Sequence, residues 1–191
     1  MLFLFLTEPT SFEKTKNLNF NQKLNSCLVI RAYNCRADGL RFLQSCRGFG
    51  GLVFCTDCKE GFDEFNFAKL NSFANSGYRQ ISKAKLHIKQ KSLGSCFAEN
   101  IFSTSAHNAK ELIAAKKAGC TNVFISPVFD TFSDGRHKKG LGVLKFYRLA
   151  SFAKKLNLNP IALGGLNMRK FTNLAKVNKL YNLKSFARSF A

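Results

Sequence analysis

The chain has 191 residues, 46% of them hydrophobic, and a formal net charge of +19 from 30 Lys and Arg against 11 Asp and Glu. That length suffices for one domain with a substantial core, and that apolar fraction excludes a disordered chain. The charge fits an anionic partner such as a phosphorylated metabolite, a nucleic acid or a membrane surface. It also fits a Lys-rich surface: Lys is spread along the chain, and no aromatic-basic pattern of an RNA-binding sheet occurs, which disfavours nucleic acid.

The elements follow in chain order. Met1-Leu-Phe-Leu-Phe-Leu6 has no basic residue before it and stops at Thr7-Glu-Pro9. It is too short for a signal core or a bilayer span, so it reads as a first strand, and no membrane partner is expected. Further apolar runs cover 27–30, 52–55, 85–88, 101–103, 122–125, 160–163 and, weakly, 179–183. Helical faces are expected over 37–43 and 65–73. Asn108-Ala-Lys-Glu111 is a capping box, with Leu112 and Ile113 supplying the apolar face and Gly119 the C-terminal stop. A basic loop, Gly135–Gly140, follows the run Val123–Thr131; Gly140-Leu-Gly142 then turns into a helix whose apolar face is Val143, Phe146, Tyr147, Ala150 and Ala153.

Strand, helix, strand alternation builds a parallel sheet with ligands at the strand C-termini. The expected fold is α/β, a small single-domain (β/α)₈ TIM barrel spanning 1–191. A doubly wound open sheet is the alternative, disfavoured because no G-x-G-x-x-G follows the first strand. The 21 Phe and absent Trp predict that most Phe fill the core. The seven Cys are odd in number. Cys55-Thr-Asp-Cys58 has metal-like spacing, but no second pair completes a zinc site, so reduced thiols in a cytoplasm are expected.

Gly164-Gly165 ends the run Pro160-Ile-Ala-Leu-Gly-Gly165 and lets the backbone approach an anion, or makes a tight turn. His107 has a side chain suited to acid-base chemistry near neutral pH, or to capping the helix that follows. His87 and His137 read as structural or solvated.

Ser105-Ala-His107, Glu111-Leu112, Ala118-Gly119, Val123-Phe-Ile-Ser-Pro-Val-Phe-Asp-Thr131, Gly140-Leu-Gly142 and Ala162-Leu-Gly-Gly165 resemble, in order and spacing, the thiamine phosphate synthase and TenI family. The match runs from Ile101 to Leu166. It is looser at Leu4–Pro9, Leu28–Arg31, Val53–Asp57 and Leu86–Ile88, which look like the family's first four strands. The resemblance implies an enzyme of thiamine biosynthesis. Its synthase members are transferases that couple hydroxymethylpyrimidine diphosphate to thiazole phosphate and release pyrophosphate, with Mg²⁺ holding the diphosphate.

This chain departs from the synthase pattern at that diphosphate machinery. The second strand carries Val29, Arg31 and Tyr33 where Gln, Arg and Lys are usual. The third keeps Asp57, where the resemblance implies a Mg²⁺ ligand and the residue alone fits a pair with a nearby Lys equally. The fourth keeps His87, but Lys89 replaces a Gly and Ser92 the second carboxylate. Asp134 replaces a Lys, with Arg136, Lys138 and Lys139 as nearby cations.

The TenI branch lacks the diphosphate machinery and includes thiazole tautomerases that rely on a His in the position of His107. The resemblance thus implies a cytoplasmic protein binding thiazole phosphate through Arg31, Ser126, Thr131, Gly164, Gly165 and Ser185. Tautomerase-like proton transfer by His107 is favoured, and synthase activity is the alternative. A non-catalytic phosphate-ligand binder and a basic nucleic-acid-associated protein remain as further readings. The sequence is silent on oligomeric state.

Overall fold

A computed structural model describes residues 2–6, 26–31, 51–56, 85–88, 90, 93, 101–133, 136–167, 169–170, 173–174 and 186–190. Eight parallel strands close a barrel: β1 (Leu2–Leu6), β2 (Ser26–Arg31), β3 (Gly51–Thr56), β4 (Lys85–Ile88), β5 (Ile101–Ala106), β6 (Asn122–Ile125), β9 (Asn159–Leu163) and β10 (Phe186–Phe190). Each pairs with its neighbour in that order, and β10 pairs back with β1, Leu2 opposite Phe186 and Leu6 opposite Phe190. The ring leaves no sheet edge and excludes the doubly wound alternative.

Strand alternation sets two layers. Val123, Ile125 and Ala162 join Phe146, Ala150 and Ala153 in a core beneath the helices. The intervening Phe124 and Ile161 are also fully buried but stand outside that cluster, on the barrel interior. Of the described Phe, Phe124 and Phe146 are fully buried. Phe132 is 68% exposed, against the expectation for most Phe.

Helix α1 (Ala109–Lys117) links β5 to β6. Asn108 is its N-cap, its Oδ1 accepting from Glu111 N at 3.0 Å. Lys116 and Lys117 complement the dipole in the last turn, and Gly119 follows the helix at φ +78°. Leu112 and Ala115 face the core, whereas Ile113 is 41% exposed. One residue of helix is a 100° turn, so Leu112 and Ile113 do not share a face. Helix α2 (Val143–Lys155) buries Phe146, Tyr147, Leu149, Ala150 and Ala153. Val143, at its first turn, is 37% exposed. Gly142 caps it at φ +79°.

Two expectations need correction. The basic segment after Asp134 is not simply a loop: β8 (Arg136–Lys138) pairs antiparallel with β7 (Thr131–Ser133), Phe132 opposite His137. Its partner lies immediately upstream, which the isolated basic run does not reveal. The closing strand is β10 at 186–190; the weak run at 179–183 lies outside the described residues, as do the helical faces over 37–43 and 65–73. Arg188 and Ser189 interrupt β10's apolar character and hide it from a hydropathy reading. Among the described residues no helix is long and apolar enough to cross a membrane.

Candidate functional site at the strand C-termini

Three loops leave the C-terminal rim side by side. His107 follows β5, Ser126 follows β6, and Gly164-Gly165 follows β9. Backbone bonds tie them together. Ser126 N donates to Ala106 O at 3.2 Å, Val128 N to Leu163 O at 2.9 Å, and Phe129 N to Gly164 O at 3.1 Å. On its other side the β6 loop accepts Leu141 N at Pro127 O, 2.8 Å, and Gly142 N at Val128 O, 3.1 Å. Asp130 Oδ1 accepts Gly140 N at 2.6 Å. The segment Pro127–Asp130 is therefore clamped between two chain segments.

That clamp explains the glycines before any ligand is invoked. A Cβ on Gly164 would lie 2.7 Å from Pro127 Cα, and one on Gly165 would lie 2.5 Å from Asp130 O and 2.8 Å from Phe129 Cβ. A Cβ on Gly140 would meet the Phe129 carbonyl carbon at 2.6 Å. Gly164 and Gly165 also sit at φ +93° and +63°, where a Cβ is disfavoured. In this rim both use their carbonyls, Gly164 toward Phe129 N and Gly165 toward Lys170 Nζ at 3.1 Å.

His107 is exposed, and its ring is held by the first turn of α1. Glu111 Oε2 accepts from His107 N at 2.6 Å and lies 2.9 Å from Nδ1. Glu111 Oε1 accepts from Asn108 Nδ2 at 2.8 Å. A carboxylate only accepts when ionised, so this contact places the proton on Nδ1 and leaves Nε2 as the basic nitrogen. Sequence reasoning read Glu111 as a cap alone; its spacing of four from His107 carried the further signal.

His87, expected to be structural or solvated, is 4% exposed and lies in the barrel interior. Its Nδ1 is 2.9 Å from Ser103 Oγ and its Nε2 3.4 Å from Ser105 Oγ; its ring meets Phe124 edge-on at 5.2 Å between centroids. The hydroxyls satisfy a buried imidazole, as buried polar groups require. His137 is exposed, 3.8 Å from Asp130 Oδ2.

The remaining residues are less gathered. Ser126 is half-buried at the rim. Thr131 is half-buried in β7, opposite Lys138. Arg31 ends β2, in register with Cys55 of β3. Asp57, Ser92 and Ser185 lie outside the described residues. Strand β10 begins one residue after Ser185, at Phe186, and ends at Phe190. Among the described residues no three His, Cys, Asp or Glu cluster as a metal site.

The architecture is that of a (β/α)₈-type barrel with its candidate site on the loops after the strands. No family model matches the chain. Over 70 residues it is 33% identical to the thiamine-phosphate synthase of Methanosarcina mazei, covering 37% of this chain and 28% of that protein. Over 77 residues it is 32% identical to the thiamine-phosphate synthase of Prochlorococcus marinus subsp. pastoris, covering 40% and 21%. The matches thus span about a quarter of the length of these curated relatives. In structure the chain is similar to the YdjI aldolase of Escherichia coli K12, with a TM-score of 0.56 and 6% identity over 100% of this chain and 75% of the other. That likeness concerns the fold alone. Over part of its length the chain is similar in sequence to thiamine-phosphate synthases.

Proposed function

We propose that this chain acts in thiamine biosynthesis, binding thiazole phosphate at the barrel rim, and that His107 moves a proton on that ligand. The observation that carries the reading is the His107–Glu111 pair, with Nδ1 held at 2.9 Å and Nε2 left as the base. Nε2 takes a proton from the thiazole, and Glu111 stabilises the imidazolium that forms. The same nitrogen returns the proton at a second position, so the step is neutral overall and the ring ends aromatic. Ser126, Thr131 and Arg31 are the residues we assign to the ligand's polar groups, and the Gly164-Gly165 turn to its phosphate.

The test is exchange of the thiazole phosphate carboxylate's protons in D₂O, followed by NMR. His107→Asn should slow it by about 10²–10⁴-fold while leaving ligand affinity nearly intact. Equal exchange by wild type and variant rejects the assignment. Binding without exchange in the wild type makes this a non-catalytic binder, and salt-sensitive nucleic-acid binding with no thiazole affinity makes it a basic nucleic-acid protein.

The names of the two relatives favour a second reading, coupling of hydroxymethylpyrimidine diphosphate to thiazole phosphate. It requires Mg²⁺ to neutralise the leaving pyrophosphate, and the chain fits that ion poorly. Of the two positions where the resemblance implies a Mg²⁺ carboxylate, this chain keeps one as Asp57 and carries the neutral hydroxyl of Ser92 at the other. The described rim carboxylates are already bonded, Glu111 to His107 and Asn108, and Asp130 to Gly140 N. Release of pyrophosphate from the two substrates by the purified chain would establish coupling and displace the tautomerase reading.

A further inference from the structure

The sequence motifs leave Lys170 unassigned, yet it meets both halves of the clamped rim. Its Nζ donates to Gly165 O at 3.1 Å and lies 4.8 Å from the centroid of the Phe129 ring. Its backbone N donates to Asn167 Oδ1 at 2.8 Å, which fixes where the residue leaves the turn. Phe129 itself rests against Gly165 and bonds through its N–H to Gly164 O. The ammonium is thus positioned by a carbonyl and an aromatic face, two neutral groups that attract a cation without neutralising it. One of its three donors goes to Gly165 O. Lys170 is exposed, so the others reach solvent beside the glycine turn.

We infer that Lys170 is a specificity-determining residue of this rim, supplying the positive charge that selects a phosphate monoester over its uncharged alcohol. The inference rests on the proposed thiazole phosphate site and adds to it a residue that glycine amides cannot replace. Amides donate hydrogen bonds to any acceptor, whereas a full charge discriminates by the ligand's own charge. A cation held over Phe129 also links the β6 loop to ligand binding, because the ring's place depends on Gly165 lacking a Cβ.

The experiment compares wild type, Lys170→Met and Lys170→Arg by calorimetry with thiazole phosphate, the matching thiazole alcohol and inorganic phosphate. Methionine keeps an apolar stem against Phe129 and removes the charge together with the bond to Gly165 O. Lys170→Gln is measured beside it, with thermal unfolding as the check that each variant folds. The expected result is a loss of about tenfold or more in affinity for thiazole phosphate, with the alcohol's affinity unchanged and Lys170→Arg near wild type. Equal weakening for ester and alcohol, or none for either, overturns the role of Lys170 while leaving the thiazole site in place. If wild type binds inorganic phosphate in a Lys170-dependent way but not the thiazole ester, the charge assignment stands and the thiazole reading falls. If wild type binds neither, both fall.

Discussion

Replacing Gly165 with Ala separates what the rim glycines do for the fold from what they do for a ligand. A Cβ there would lie 2.5 Å from Asp130 O, 2.8 Å from Phe129 Cβ and 2.8 Å from Phe129 O. Two of these atoms are backbone, held by the bonds that clamp Pro127–Asp130, so they cannot swing aside. The left-handed φ of +63° costs a non-glycine residue about 1–2 kcal/mol, and forced repacking adds about 1–3 kcal/mol. Gly119 supplies the control. Its φ is +78°, but a Cβ there meets nothing within 4 Å, so Gly119→Ala carries only the conformational cost. Urea denaturation of both variants, with the m-value unchanged, isolates the steric part as the difference between them. We expect Gly165→Ala to be the more destabilised by about 1–3 kcal/mol. Equal midpoints would refute the claim that the β6 loop is seated on this glycine, and with it the coupling of Phe129 to Lys170.

Other outcomes follow from burial. Phe146 is fully buried and packs on Tyr147 at 5.5 Å between ring centroids, so Phe146→Ala should cost about 3–5 kcal/mol in the same denaturation assay. The Cys120 thiol, 3% exposed, is pushed by burial from 9.0 up to about 11, against a smaller lowering by its backbone hydrogen bond. The unfolded thiol ionises near pH 9 while the folded one stays neutral to about 11. Stability from this group is therefore present below pH 9 and lost as pH rises through 11. Cys120→Ala should flatten that decline, measured by urea unfolding at successive pH values.

The sequence was legible where hydropathy and local chemistry agree. Asn122–Ile125 and Lys85–Ile88 form strands over the residues that their apolar runs cover, and Asn108 caps α1 as its box with Glu111 predicts. β10 is harder, because Arg188 and Ser189 break its apolar run and its place is set by pairing with β1 and β9. The hairpin of β7 and β8 is likewise a matter of pairing, since Arg136–Lys138 carries no strand pattern of its own. At the rim, glycine spacing marked a close approach but not which atoms approach. Here the chain's own Pro127, Phe129 and Asp130 do so. Lys170 has no motif at all; only the fold brings its ammonium to Gly165 O. His87 depends on strand register in the same way, its partners Ser103 and Ser105 lying on the adjacent β5.

A barrel shared with an aldolase at 6% identity cannot choose a reaction, so the proton-transfer reading stands on His107 and Glu111. The difficulty is that Glu111 has two jobs. It belongs to the cap of α1 through Asn108, and it holds the imidazole through Nδ1. Losing activity in Glu111→Gln would not by itself say which job mattered. Asn108→Ala divides them: it removes the cap's side-chain acceptor for Glu111 N and the Nδ2 bond to Glu111 Oε1, costing about 1 kcal/mol of stability, and leaves the two His107 bonds to Oε2 their own partners. Glu111→Gln instead replaces the carboxylate that fixes the imidazole proton and balances the imidazolium. If Glu111 serves the base, Glu111→Gln should lower kcat for thiazole proton exchange by about 10²-fold with KM nearly unchanged, and Asn108→Ala should leave kcat near wild type below its own melting temperature. A fall in kcat that tracks the stability of both variants alike would mean that the pair is a helix cap, and that the proton is carried by another group or not at all.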